Sequence, residues 1–145
     1  MNEQMELVKH IYKDSEMASY TIETLLQDLE NKDNKIKKFT QELLNCYQKF
    51  LSKSKDFLDS ENEAIPKTGM MSKMGAKMGI DKDVKNDNSD ASIADMLIKG
   101  ISMGSINTEK KINDYKDITN KKTLRLAKDF LEFQEQSIEK LKDYL

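Results

Sequence analysis

The sequence predicts an all-α fold, a four-helix bundle of two antiparallel helix pairs joined by a long crossover. Three observations predict it. Residues 1–64 and 105–145 hold no Gly or Pro, the pattern of long uninterrupted helices, since Gly costs about 1 kcal/mol and Pro about 3 kcal/mol in a helix interior. Apolar residues recur at alternating spacings of three and four along four segments, and nowhere do they alternate as in a strand. The 145 residues suit one domain, 1–145, with a core that needs no covalent staples.

The first helix is expected over about 2–29. Val8, Ile11, Ser15, Ala18, Ile22, Leu25 and Leu29 form a seam of a and d positions. Met5, Tyr12, Ser19 and Leu26 widen it. Asn31-Lys32-Asp33-Asn34 is a polar turn, with Asn34 a candidate N-cap for a second helix over about 34–64. Ile36, Phe39, Leu43, Tyr47, Phe50, Ser54 and Phe57 give that helix a bulky face. Pro66 disfavours helix at Ile65, so an end is expected there.

Residues 66–88 form the crossover. KTGMMSKMGAKMGI (67–80) carries four Met, three Gly and three Lys without an acid, and a polar run follows. Met70, Met71, Met74 and Met78 recur at helical spacing, with Lys73 and Lys77 to one side, so a short amphipathic helix lying on the bundle fits. A third helix over about 89–117 starts at Ser89 or Asp90 as N-cap. Ile93, Met96, Leu97, Gly100, Ile101, Met103, Gly104, Ile112, Tyr115 and Ile118 form its inner face. The fourth helix, about 120–145, carries Leu124, Ala127, Leu131, Gln134, Ile138 and Leu141, flanked by Phe130, Ser137 and Tyr144.

Composition excludes several function classes. The fraction of apolar residues is 37% and of charged residues 34%, against about 45–50% and 25% in a typical domain. A net charge of −2 makes no field for a polyanion, so no nucleic-acid partner is expected. One cysteine, Cys46, excludes an internal disulfide and a multi-cysteine zinc site. No apolar run reaches transmembrane length, and the first residues lack the apolar stretch of a signal peptide. A cytoplasmic protein is therefore expected.

The short, long, short spacing of the links resembles the ferritin-like four-helix superfamily. The stretch SDASIADMLIKGISMGSI also resembles the third-helix region of small bacterial helical proteins of unknown function. The resemblance implies a bundle with one crossover. It does not bring the superfamily's di-iron site, which needs Glu-x-x-His pairs: His10 is the lone histidine, and its heptad position points it to solvent.

The remaining constellations each carry a functional and an ordinary reading. Glu16, Glu23, Glu42, Asp95, Glu132 and Glu135 are candidates for a carboxylate-only divalent metal site. As a solvated face they need no site at all, and Glu135 is the least securely exposed. Glu6, His10 and Asp14 stack one turn apart, a surface metal geometry that chance also produces. Thioethers suit Cu(I), so Met70, Met71, Met74 and Met78 are candidate copper ligands. With Lys73 and Lys77 they are equally a partner-contact surface, or plain filling beneath the crossover. Gly100 and Gly104 allow close packing against a bulky neighbour such as the Phe-rich second helix. Alternatively, they leave a ligand cavity beside Tyr47 or Tyr115. Ser15, Ser19, Ser54, Gln134 and Ser137 interrupt the seams, either as tolerated small residues or as a polar mid-bundle pocket. The sequence thus points to a non-catalytic binding or interaction module, with no cofactor expected and open to a homo-oligomer or protein partner, and with a metal-binding or redox bundle as its rival.

Overall fold

In a computed structural model describing residues 3–145, the chain is all-helical, with five α-helices, four in the segments expected for the bundle and one within the crossover, where the methionine spacing suggested a short helix. They are α1 (Met5–Asp28), α2 (Lys37–Ser60), α3 (Met70–Asn86), α4 (Asp90–Tyr115) and α5 (Lys121–Leu141), followed by a 3-10 turn, Lys142–Tyr144. The expected first-helix start at Asn2 lies outside the described residues. None of these helices is long and apolar enough to cross a membrane.

Two helix boundaries have clear local causes. The second helix stops at Ser60, well before Pro66. Asn62 takes a left-handed φ of 56°, Asn62 N–H donates to Asp59 O, and Glu63 N–H donates to Leu58 O. This is a Schellman ending, which Asn supports because it tolerates that region. The second helix also begins later than Asn34. The Asn34 amide instead donates to Asn88 O at 2.7 Å and Asp90 Oδ1 at 2.9 Å, fastening the α1–α2 turn to the start of α4. The expected cap at Ser89 holds, since Ser92 N–H donates to Ser89 Oγ, and Asn120, not singled out from the sequence, caps α5 by accepting from Thr123 N–H.

Side-chain pairs give the helix directions. Met5 and Val8 at the start of α1 pack on Leu58 at the end of α2, so these two run antiparallel. Thr108, in the last third of α4, meets Gln134, about two thirds of the way along α5, and joins the two helices. α1 is central and touches all four other helices. That is why Leu7 and Thr24, outside its a/d seam, are buried as well. α2 meets α5 through aromatic rings, Tyr47 on Phe133 at 4.9 Å and Phe50 on Phe130 at 5.0 Å. Such edge-to-face pairs add about 0.5–1.5 kcal/mol beyond their burial.

Three expected faces need rotating. Met103 and Ile118 on and after α4 are exposed. The deepest stripe of α5 is Phe130, Gln134, Ser137 and Leu141, with Leu124, Leu131 and Ile138 at its margin. In α3 the inward stripe is Ala76, Ile80 and Val84, spaced by four, and only Val84 is fully buried. The methionines point the other way: Met70, Met71, Met74 and Met78 are 76, 87, 57 and 70% exposed, so they do not fill a gap beneath the crossover. At about 1.5 Å per residue α3 rises about 25 Å against about 36 Å for α2, so the links on either side of α3 cover the rest of the way from the end of α2 to the start of α4.

Candidate functional site

A cavity of about 360 Å³ lies where α3 roofs the gap between α1 and α4. Its walls are built from residues that leave space: Ala18 from α1, Ala76 and Gly79 from α3, and Gly100 from α4. A Cβ at either Gly79 or Gly100 would meet no neighbour within 4 Å. Gly100 is therefore not a close-packing residue, as the sequence suggested, but part of an opening. Ile22, Leu25, Ile80, Leu97 and Ile101 make the lining mostly apolar. Asp14 and Tyr47 reach it from the bundle interior, Thr21 lines it with its hydroxyl donating to Ala18 O, and Asp83 stands exposed at the rim.

Asp14 belongs to a part-buried polar network of which only Gln134 was marked by a break in a seam. Gln134, fully buried on α5, donates Nε2–H to Asp14 Oδ2 at 2.9 Å. Its Oε1 lies 2.9 Å from the Thr108 hydroxyl, which is also 2.8 Å from Gly104 O and 2.8 Å from His10 Nε2. A hydroxyl has one proton, so Thr108 donates to one of the two carbonyl oxygens and accepts from His10. That makes His10 the Nε2–H tautomer. His10 is thus half-buried and turned into the bundle, with Phe130 edge-on at 6.4 Å, rather than facing solvent.

Gly104 exists to admit this network. A Cβ there would stand 2.8 Å from both Asp14 Oδ2 and Gln134 Nε2. The close approach is to side chains of α1 and α5, not to the Phe-rich second helix.

Burial sets the protonation of the site. It pushes the Asp14 carboxyl up to about 6, against the opposing hydrogen bond from Gln134. Burial first, then the charges of Lys111 and Lys13, lowers His10 to about 4. Burial first, then the Asp14 charge, pushes the Tyr47 phenol up. Near neutral pH the inner end of the site therefore offers the Asp14 carboxylate and a neutral phenol, with a neutral imidazole behind them.

The roof is tied to α1 at both ends. Near its start Lys73 Nζ pairs with Glu16 Oε1 at 3.2 Å and lies over the Tyr20 ring. Near its far end Asp81 pairs with Lys77 at 2.9 Å and faces Asp28. Asp28 Oδ2 and Asp81 Oδ1 are buried and meet no donor group. A proton held between the two carboxyls answers both atoms, and burial with this pairing raises Asp28 to about 6.

The carboxylates singled out from the sequence are not brought together. Glu16 holds Lys73, Glu23 accepts from Gln48 on α2, Asp95 pairs with Lys99, and Glu132 accepts from Gln136. Glu42 is exposed, and so is Glu135, which the sequence left least certain. Glu6 pairs with Lys9, away from the inward-turned His10 and Asp14. Among the described residues no three His, Cys, Asp or Glu side chains converge on a point where a metal ion could sit. Nor do the polar seam residues share one pocket. Ser54 and Ser137 donate back to their own helices, whereas Ser15 Oγ and Ser19 Oγ are buried without a partner.

Of the sequence candidates, Gly100 and Tyr47 meet at the cavity and Gly104 serves the network beneath it. Asp14, His10 and Thr108 were missed as interior residues. The available signal was the i, i+4 pair His10/Asp14 opposite two polar breaks, Thr108 and Gln134. No known protein family, curated protein or solved structure matches the chain.

Proposed function

We propose that this protein is a non-catalytic binding module that takes a small, mainly apolar molecule into the cavity between α1, α3 and α4. The cavity itself carries the reading. Its volume of about 360 Å³ falls in the range of small-molecule sites, about 300–1,000 Å³, as does an apolar lining with a few convergent polar groups. The chemistry on offer is hydrogen bonding and negative charge, from Asp14 inside and Asp83 at the rim: His10 is neutral with Nε2 committed to Thr108, and Cys46 is exposed and lines no part of the cavity. For the frame we propose ferritin-like connectivity of α1, α2, α4 and α5, with α3 inside the crossover. Its support is the antiparallel α1–α2 pair, the α4–α5 contact and the length of the intervening segment.

Naphthalen-2-ylmethanol, a neutral fluorescent probe, tests this. Binding with a dissociation constant below about 1 mM is expected, and Gly100→Leu, which fills the opening from an exposed helical position, should abolish it with helicity unchanged. No binding, or binding that survives Gly100→Leu, overturns the reading. A protein-contact surface is the second reading, favoured by the exposure of Met70, Met71, Met74 and Met78 beside Lys73 and Lys77 on one short helix.

A further inference from the structure

We propose that the ligand of this cavity is an organic cation, an ammonium group carried on an apolar body, with the ammonium seated against Asp14. The inference rests on the cavity being a binding site and concerns what that site selects. The charge of the lining is one-sided. Asp14 closes the inner end and Asp83 stands at the rim, and no Lys, Arg or His lines the space between.

Asp14 itself is incompletely answered by the protein. It accepts one hydrogen bond, from the neutral Gln134 amide, and among the described residues no cation pairs with it. A half-buried carboxylate without a counter-charge is costly in proportion to the water it has lost. The neighbouring groups nonetheless favour its charged form: Gln134 turns a donor toward it, and Gly104 leaves room for that bond. A ligand ammonium supplies the missing charge, and the Tyr47 hydroxyl beside it provides a further acceptor. Asp83 adds negative potential at the mouth, which draws cations in and turns anions away. The apolar walls fix the rest of the chemistry: Ile22, Leu25, Ile80, Leu97 and Ile101 take a hydrocarbon or aromatic body rather than a sugar or a nucleotide phosphate.

Three probes of one shape isolate the charge: naphthalen-2-ylmethylammonium, naphthalen-2-ylmethanol and 2-naphthoate. With the intact protein near pH 7.5 the ammonium is expected to bind at least about tenfold more tightly than the alcohol, the scale of a charge-assisted hydrogen bond, and the naphthoate more weakly than either. Asp14→Asn should bring the ammonium-to-alcohol ratio close to one while the alcohol keeps its affinity. Asp83→Lys, at an exposed position clear of the buried network, should cut the ratio by about threefold or more, and it decides the matter if Asp14→Asn does not fold. An alcohol bound as tightly as the ammonium, or a preference unchanged in the folded variants, overturns the cation proposal alone. Failure of all three probes to bind instead removes the cavity reading beneath it.

Discussion

Gln134 on α5 donates to Asp14 on α1 at 2.9 Å, and the point where a Cβ on Gly104 would sit is 2.8 Å from each of the two bonded atoms. The hydrogen bond and the glycine are thus one arrangement, and the second glycine on the same helix, Gly100, has no part in it.

That contrast predicts opposite signs for two identical substitutions. Gly100→Ala adds a methyl to open space and should stabilise by up to about 1 kcal/mol through helix propensity. Gly104→Ala has the same propensity gain but must displace a buried hydrogen bond to a carboxylate, worth about 1.5–3 kcal/mol, so a net loss of about 1 kcal/mol is expected. Urea denaturation of both variants checks this, and equal shifts would contradict it.

Asp14 and His10 titrate with opposite consequences for stability. The Asp14 carboxyl, raised from its ordinary 3.8 to about 6, binds its proton more tightly in the folded chain. Its ionisation is therefore a cost that is absent below pH 3.8 and complete above about 6. His10, lowered from 6.5 to about 4, resists protonation in the folded chain, so its contribution is lost as pH falls from 6.5 to 4. Each shift corresponds to at most about 3 kcal/mol, and the two largely offset each other. Relative to the parent, Asp14→Asn should gain stability as pH rises from 4 to 6.5. His10→Gln should gain as pH falls over the same interval. Denaturation curves across that interval would refute the pairing if all three proteins kept a constant spacing.

Much of this was legible in the chain, and the failures have a common cause. The seam of α1, the helical extent of α5 and the cap Ser89 could be read because helical period and capping chemistry are local. His10 and Asp14 read instead as a surface pair, because α1 is covered by four helices and buries a wider arc than its a and d positions mark. In α3 the methionine spacing announced a helix but not its orientation. The modest stripe Ala76, Ile80 and Val84 faces inward instead, as it lines the gap between α1 and α4 with side chains small enough to leave it open. Asn62, a short-range signal for ending α2, was overshadowed by Pro66.

The methionine surface yields a prediction that separates contact from core. Replacing Met70, Met71, Met74 and Met78 together with Gln should leave helicity unchanged and stability within about 0.5 kcal/mol per site, as for exposed positions generally. A cooperative loss of stability would place these side chains in the core.

α3 buries one residue fully, Val84, and leans mainly on α1, so its amides should exchange faster than those of α1 and α5. Its fastening by the Asp28–Asp81 pair depends on a proton that Asp28 holds up to about pH 6. Above that pH two carboxylates face each other, and protection in α3 should fall relative to the other helices. Asp28→Asn should remove that pH dependence, as followed by hydrogen exchange; an α3 protection profile that stays parallel to that of α1 from pH 5 to 7.5 would contradict it.

The most direct measurement of the central claim is an amide NMR titration of the intact protein with naphthalen-2-ylmethylammonium. Binding in the cavity predicts saturable shifts centred on Asp14, Ala18, Ala76, Gly79 and Gly100, the residues that surround it on three helices. Shifts confined to Met70, Met71, Met74 and Met78, or scattered over the surface without saturation, would show that the cavity is not the binding site.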